Sequence, residues 1–176
     1  GAQILARRPD LLVKPLRGNV ETRLKKLNAG VVDATLLAFA GLKRLGQSRV
    51  ATEILSPEKM LPAVGQGAIG VACRRADDQV LELLTQLNHD ATKIAVSAER
   101  AFLARLDGSC ETPIAALSTL DKTGGLTMSG LIAAPDGSEL IEGKIEGLSG
   151  QARHLGEELG TRLLTKASSI SLTIHQ

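Results

Sequence analysis

Residues 126–145 read Leu126-Thr-Met-Ser-Gly-Leu-Ile-Ala-Ala-Pro-Asp-Gly-Ser-Glu-Leu-Ile-Glu-Gly-Lys-Ile145, or LTMSGLIAAPDGSELIEGKI. From Ile114 onward apolar and polar residues alternate, and a period of two is the mark of a half-buried strand. Ala134-Pro-Asp-Gly137 carries turn residues in the order a turn requires. Residues 126–133 and 139–145 are therefore expected to pair as an antiparallel hairpin.

Working outward, residues 151–167 place Ala152, Leu155, Leu159 and Leu163 in one stripe, which predicts an amphipathic closing helix. Upstream, Asp90 is expected to cap a helix reaching Leu106, with Ile94, Ala98, Ala101 and Phe102 on one face and Gly108 as its stop. Asp77 or Asp78 can cap a shorter helix to Leu87. Antiparallel strands flanked by helices make an α+β unit, with a domain boundary expected near residues 75–90.

The first third has a different rhythm. Residues 1–8 read as the tail of a helix stopped by Pro9. Residues 11–16 read as an edge-like strand, because Pro15 cannot donate to a ladder. Asn19 or Thr22 could cap a helix to Ala29, with Gly30 ending it. The apolar run 31–39 reads as a buried parallel strand, and residues 40–46 as a short helix. Strand, helix, strand, helix is the βαβ pattern of an α/β fold with a parallel sheet. After a proline-punctuated connection at 55–62, residues 63–73 read as a glycine-rich loop feeding another strand.

Composition excludes several classes. Phe39 and Phe102 are the only aromatic residues, so aliphatic side chains must fill the core and no stacking platform for nucleic-acid bases exists. The net charge of +2 argues against bulk attraction to nucleic acid or to an anionic membrane. No apolar run approaches the roughly 20 residues of a membrane span. Cys73 and Cys110 lack zinc-ligand spacing, so no metal is expected. A reducing, cytoplasm-like compartment is the default.

Three sets of residues could carry chemistry. Arg17 and Arg23, at the start of one predicted helix, and Arg44, near the end of another, could cradle an anion, since helix N-termini and guanidinium forks both suit carboxylates. Surface arginines are mostly solvated, so the plain reading competes. In Val64-Gly-Gln-Gly-Ala68 the glycines allow close approach of backbone to a ligand, and Gln66 can both donate and accept; a tight turn would look the same. Cys73, on a predicted strand, is expected to be a small buried hydrophobe. Cys110, in LDGSCETPI, falls in a loop, where it would be reactive or attachable. His89, His154 and His175 lie in no recognisable motif.

Taken in order, RGNVETRLKKL, ATLLAFAGLKRLG, LPAVGQGAIGVACR, LNHDATKIAVSAERAFLARLDGSCETPIA and APDG resemble the porphobilinogen deaminase (hydroxymethylbilane synthase) family over nearly the whole chain. The resemblance implies a transferase that joins four porphobilinogen units head to tail, with loss of ammonia, and releases hydroxymethylbilane. It implies a dipyrromethane cofactor held by a thioether to Cys110. It also implies that Arg17, Arg23 and Arg44 bind pyrrole carboxylates, that Gln66 and Gly67 line the cofactor cavity, and that Arg74 and Arg100 lie near it as weaker candidates. Each ring carries an acetate and a propionate whose charges must be paired when desolvated.

The family has three domains, the first two resembling a periplasmic-binding-protein pair. The resemblance then implies that residues 1–62 are most of domain 2, 63–85 a hinge and segment returning to domain 1, and 86–176 the cofactor-attachment domain 3. The expected fold is thus a partial periplasmic-binding-protein-like parallel-sheet domain followed by a small antiparallel-sheet domain with helices. No acidic residue here matches the family's catalytic aspartate, and neither Asp33 nor Glu99 is promoted in its place. The chain is expected to begin late in domain 2, to be inactive alone, and to need the N-terminal domain or a complementary fragment. A full-length protein is expected to be a cytoplasmic or plastid monomer without nucleic-acid or membrane partners. If this is all the polypeptide present, residues 68–73 should lack their sheet and expose apolar surface.

Two other readings predict different behaviour. A non-enzymatic module binding small carboxylates would leave Cys110 unmodified. A thiol enzyme or redox sensor would show rapid alkylation of Cys110.

Overall fold

The structure is a computed structural model and describes residues 1–107 and 113–169. Gly108, Ser109, Cys110, Glu111 and Thr112 lie outside the described residues, as does His175; so do the predicted helix stop at Gly108 and the attachment site at Cys110. The chain divides into two compact units, one formed by Gly1–Leu11 with Pro57–Gln176 and the other by Leu12–Ser56.

The larger unit is built on a three-stranded antiparallel sheet in the order β1-β2-β3. Its strands are β1 (Ile114–Leu120), β2 (Gly125–Ala133) and β3 (Leu140–Leu148). The predicted hairpin is present, with Ala133 opposite Leu140 and Met128 opposite Ile145. Its turn closes through the Gly137 N–H donating to the Ala134 carbonyl at 2.9 Å, and Gly137 adopts a φ of 75°, which only glycine reaches without strain. Asp136 accepts from both the Ser138 N–H and its hydroxyl, a local bond that fixes the turn. The strand before the hairpin, β1, completes the sheet.

Because successive residues of a strand face opposite ways, the sheet has two distinct sides. One carries Ala116, Met128, Ile132, Ile141 and Ile145 against α5 (Asp90–Arg105) and α6 (Ala152–Ser169). The predicted stripe of Ala152, Leu155, Leu159 and Leu163 is buried there, as are Ala98 and Phe102 of α5. Phe102 is fully enclosed, and burial of such a side chain contributes about 1.5–3 kcal/mol. The opposite side packs Ala115, Leu131 and Ala133 on Ala2 of α1 (Ala2–Arg7) and on Leu61.

Helix starts follow local capping chemistry. The Asp77 side chain accepts from the Val80 N–H and caps α4 (Asp78–Thr85). The cap of α5 is His89, not Asp90: the His89 Nδ1 accepts from the Thr92 N–H at 3.3 Å and lies 2.8 Å from the Thr92 hydroxyl. Asp90 instead occupies the first turn, where its charge faces the positive end of the helix dipole.

In the smaller unit, Asn19 caps α2 (Val20–Asn28) by accepting from the Thr22 N–H at 2.9 Å, and Gly30 follows with a φ of 70°. Helix α3 (Phe39–Arg44) precedes Gly46 and a single 3₁₀ turn at Ser48–Val50. Gly41 lies beside Val20, so α2 and α3 are in contact.

The parallel sheet expected in the first third is not found. Residues 11–16, 31–38 and 68–73 belong to no strand, and every strand among the described residues begins at Ile114 or later. An apolar run records a tendency to be buried, whereas a strand exists only when a neighbour supplies the other half of its ladder. These segments have no such neighbour among the described residues, and many of their apolar side chains are exposed, Leu12 to 78% and Ile69 to 92%. Exposure of residues 69–71 agrees with the expectation that segment 68–73 lacks its sheet. Cys73, expected to be buried on that strand, is correspondingly an exposed free thiol.

Candidate functional site

The candidate residues fall into both units. In the smaller one, Arg17 and Arg23 flank the start of α2. The Arg23 Nε donates to the Gly18 carbonyl at 2.9 Å, which orients the guanidinium. Lys26 Nζ donates to the Arg17 carbonyl at 2.9 Å and adds a third positive charge to this helix start. Gly18 sits at a φ of 127°, and a Cβ there would meet the Thr22 side chain at 2.7 Å, so the chain passes tightly beneath the capping turn. Arg44 is exposed in the last turn of α3. A planar fork of donors is the geometry that matches a carboxylate bidentately.

In the larger unit, residues 63–68 form two successive turns: the Gln66 N–H donates to the Ala63 carbonyl and the Ala68 N–H to the Gly65 carbonyl. Gly65 and Gly67 have φ of 70° and 86°, and no atom lies within 4 Å of a Cβ built on either. Glycine is thus required here by backbone conformation rather than by crowding. Gln66 is exposed between them.

Gly65, Gly67, Ile69 and Val71 border a groove of about 850 Å³ whose other wall is α5, with Lys93, Val96 and Arg100. The structure thus brings Gly67 and Arg100 to one groove. Arg74 does not join them, since it pairs with Asp77 at 3.1 Å on an exposed surface, where such a pair contributes little.

One residue that sequence reasoning left without a role is Glu99. Its side chain is buried, with Oε2 accepting from the Gly65 N–H and Oε1 from the Ser118 N–H, both at 2.8 Å. The available signal was an acid standing one turn after Ala95 and one before Phe102, within the inward stripe of α5. Among the described residues no group of His, Cys, Asp and Glu could hold a metal ion, and no helix is long and apolar enough to cross a membrane.

Comparison with known proteins defines the class first: a cofactor-binding domain followed by a distinct C-terminal domain. Residues 1–82 match the family model described as porphobilinogen deaminase, dipyromethane cofactor binding domain, and residues 93–165 that described as porphobilinogen deaminase, C-terminal domain. The chain belongs to the porphobilinogen deaminase family. It is 51% identical over 169 residues to the chloroplastic porphobilinogen deaminase of Pisum sativum, covering 94% of this chain and 46% of the relative. It is 55% identical over 141 residues to the chloroplastic protein of Oryza sativa subsp. japonica, covering 80% and 39%. It is 52% identical over 160 residues to porphobilinogen deaminase of Sorangium cellulosum, covering 89% and 53%. The chain spans about half the length of the curated relatives it matches.

Proposed function

We propose that this chain acts in tetrapyrrole biosynthesis as part of a hydroxymethylbilane synthase, a transferase that joins four porphobilinogen units head to tail onto a covalently held primer and releases ammonia and hydroxymethylbilane. The observation that carries this reading is the match of the two family models, in order, over residues 1–82 and 93–165. Cys110 falls in the second match and the arginine-bearing start of α2 in the first.

The roles proposed for the residues are those that the family resemblance implies. Cys110 holds the dipyrromethane by a thioether, a bond stable enough to survive every round of addition. When bound, the dipyrromethane supplies the pyrrole carbon to which the next unit is joined. Arg17, Arg23 and Arg44 pair the carboxylates of the growing polypyrrole, and Gln66 and Gly67 line the cavity beside the cofactor. Arg100, which borders the same groove as Gly67, supplies positive charge at its margin, whereas Arg74, paired with Asp77 away from that groove, takes no part. No carboxylate of this chain takes the part of the general acid or charge stabiliser that the reaction needs. Turnover therefore requires the complementary half, and the assembled protein works as a monomer in the cytoplasm or a plastid.

The test is ammonia release from porphobilinogen by the chain alone, by the chain mixed with the N-terminal half of a relative, and by that half alone. Release only from the mixture supports the reading. Reversible binding of porphobilinogen with an unmodified Cys110 and no turnover in any mixture would instead favour a non-enzymatic carboxylate-binding module.

A further inference from the structure

We propose that Glu99 is a positioning residue that fixes the Gln66–Gly67 turn to the edge of the antiparallel sheet. The inference rests on the reading of Gln66 and Gly67 as cavity-lining residues. β1 is an edge strand, and its outward N–H groups have no neighbouring strand to receive them. Two of them are satisfied by other means: the Ala116 N–H donates to the Pro62 carbonyl at 3.1 Å, and the Ser118 N–H to the Glu99 carboxylate at 2.8 Å.

The other oxygen of Glu99 receives the Gly65 N–H at 2.8 Å. Further back, the Gln3 side chain clasps Leu61, donating to its carbonyl at 2.9 Å and accepting from its N–H at 3.0 Å. Residues 61–65 are thus tied at three places, Leu61 to Gln3 of α1 and Pro62 and Gly65 to β1, the latter through Glu99, which is the last tie before Gln66. Glycine on either side of Gln66 gives the turn wide conformational freedom, so an anchor at Gly65 decides which conformation is held. A carboxylate that is only 5% exposed is tolerated because both oxygens are occupied by N–H donors.

Glu99→Gln tests this in the full 176-residue chain. Glutamine keeps one acceptor oxygen but turns an NH₂ toward the second N–H, so one of the two bonds must fail. Amide hydrogen exchange at Gly65 or Ser118 is expected to accelerate about tenfold or more, while Met128 and Ile132 in the middle of the sheet keep their protection. In the mixture with the complementary half, ammonia release by the variant is expected to fall about tenfold with sheet protection unchanged, which a purely structural role would not produce. Should the variant lose the fold, the unsubstituted chain still decides: Gly65 must be protected to a degree comparable with Ser118. Free exchange at Gly65 in the unsubstituted chain, or wild-type protection and turnover in the variant, would overturn the proposal. Turnover by the unsubstituted mixture tests the cavity reading separately, so the two failures are told apart.

Discussion

Gly130 on β2 stands directly opposite Gly143 on β3, and the absence of two side chains there opens the hollow in which the helices sit. A Cβ on Gly130 would lie 2.7 Å from the ring of Phe102, and one on Gly143 would lie 2.8 Å from a methyl of Leu163. With Phe102 the only buried ring among the described residues, this pair is what lets a small aliphatic core close on a single aromatic. Gly130→Ala or Gly143→Ala should cost about 1–3 kcal/mol by overpacking, read as a lower urea midpoint. Wild-type midpoints for both would show that the hollow can relax.

Gly156 plays the same part between helices. A Cβ there would stand 2.1 Å from the Ala98 carbonyl oxygen, a backbone atom that cannot swing aside. Gly156→Ala should separate α5 from α6 and destabilise the larger unit by at least about 2 kcal/mol, in spite of alanine's better helix propensity. Thermal unfolding of the variant checks this, and a raised midpoint would contradict it.

The β1–β2 turn confers an acid-sensitive component of stability. Asp121 accepts from the Thr123 hydroxyl and N–H, each at 2.7 Å, and from the Gly125 N–H at 2.9 Å. The Thr123 hydroxyl bond first, and the backbone N–H bonds after it, hold the Asp121 carboxyl below the usual carboxylate range. A depressed folded-state pKa means that the contribution is present above the unfolded value of about 3.9 and is lost as pH falls through the folded one. The stability difference between the wild type and Asp121→Asn should therefore be constant near about pH 6 and change below about pH 4. Urea titrations at both pH values measure it; a difference independent of pH would refute the assignment.

The carboxylate role proposed for Arg23 on α2 is read out as substrate affinity. Arg23→Lys keeps the charge but loses the planar fork that the Gly18 carbonyl orients, and in the complemented protein KM for porphobilinogen should rise about tenfold or more. Initial rates against porphobilinogen concentration give the value, and an unchanged KM would remove Arg23 from the carboxylate site.

What could be read in the sequence was what local chemistry decides. Asn19, Asp77, Pro135 and Gly137 act on residues within four positions of themselves, and the helices and hairpin they announce are all present. His89 in place of Asp90 as the cap of α5 is a near miss of the same kind, since an imidazole nitrogen can accept a bond for which carboxylates are the usual choice. The parallel strands could not be settled this way: residues 31–38 and 68–73 have the right side chains, but a ladder depends on a partner that the run itself does not specify. Glu99 escaped for the same reason, because its two N–H donors lie 34 and 19 residues away.

The central claim is that Cys110 carries the dipyrromethane, and intact mass under denaturing conditions tests it most directly. The chain is assembled with its complementary half, exposed to porphobilinogen and weighed beside Cys110→Ser. A covalent excess of two linked pyrrole units on the wild-type chain, absent from the variant while exposed Cys73 is present in both, is the predicted result. The bare polypeptide mass in both chains, or the same excess in both, would contradict it.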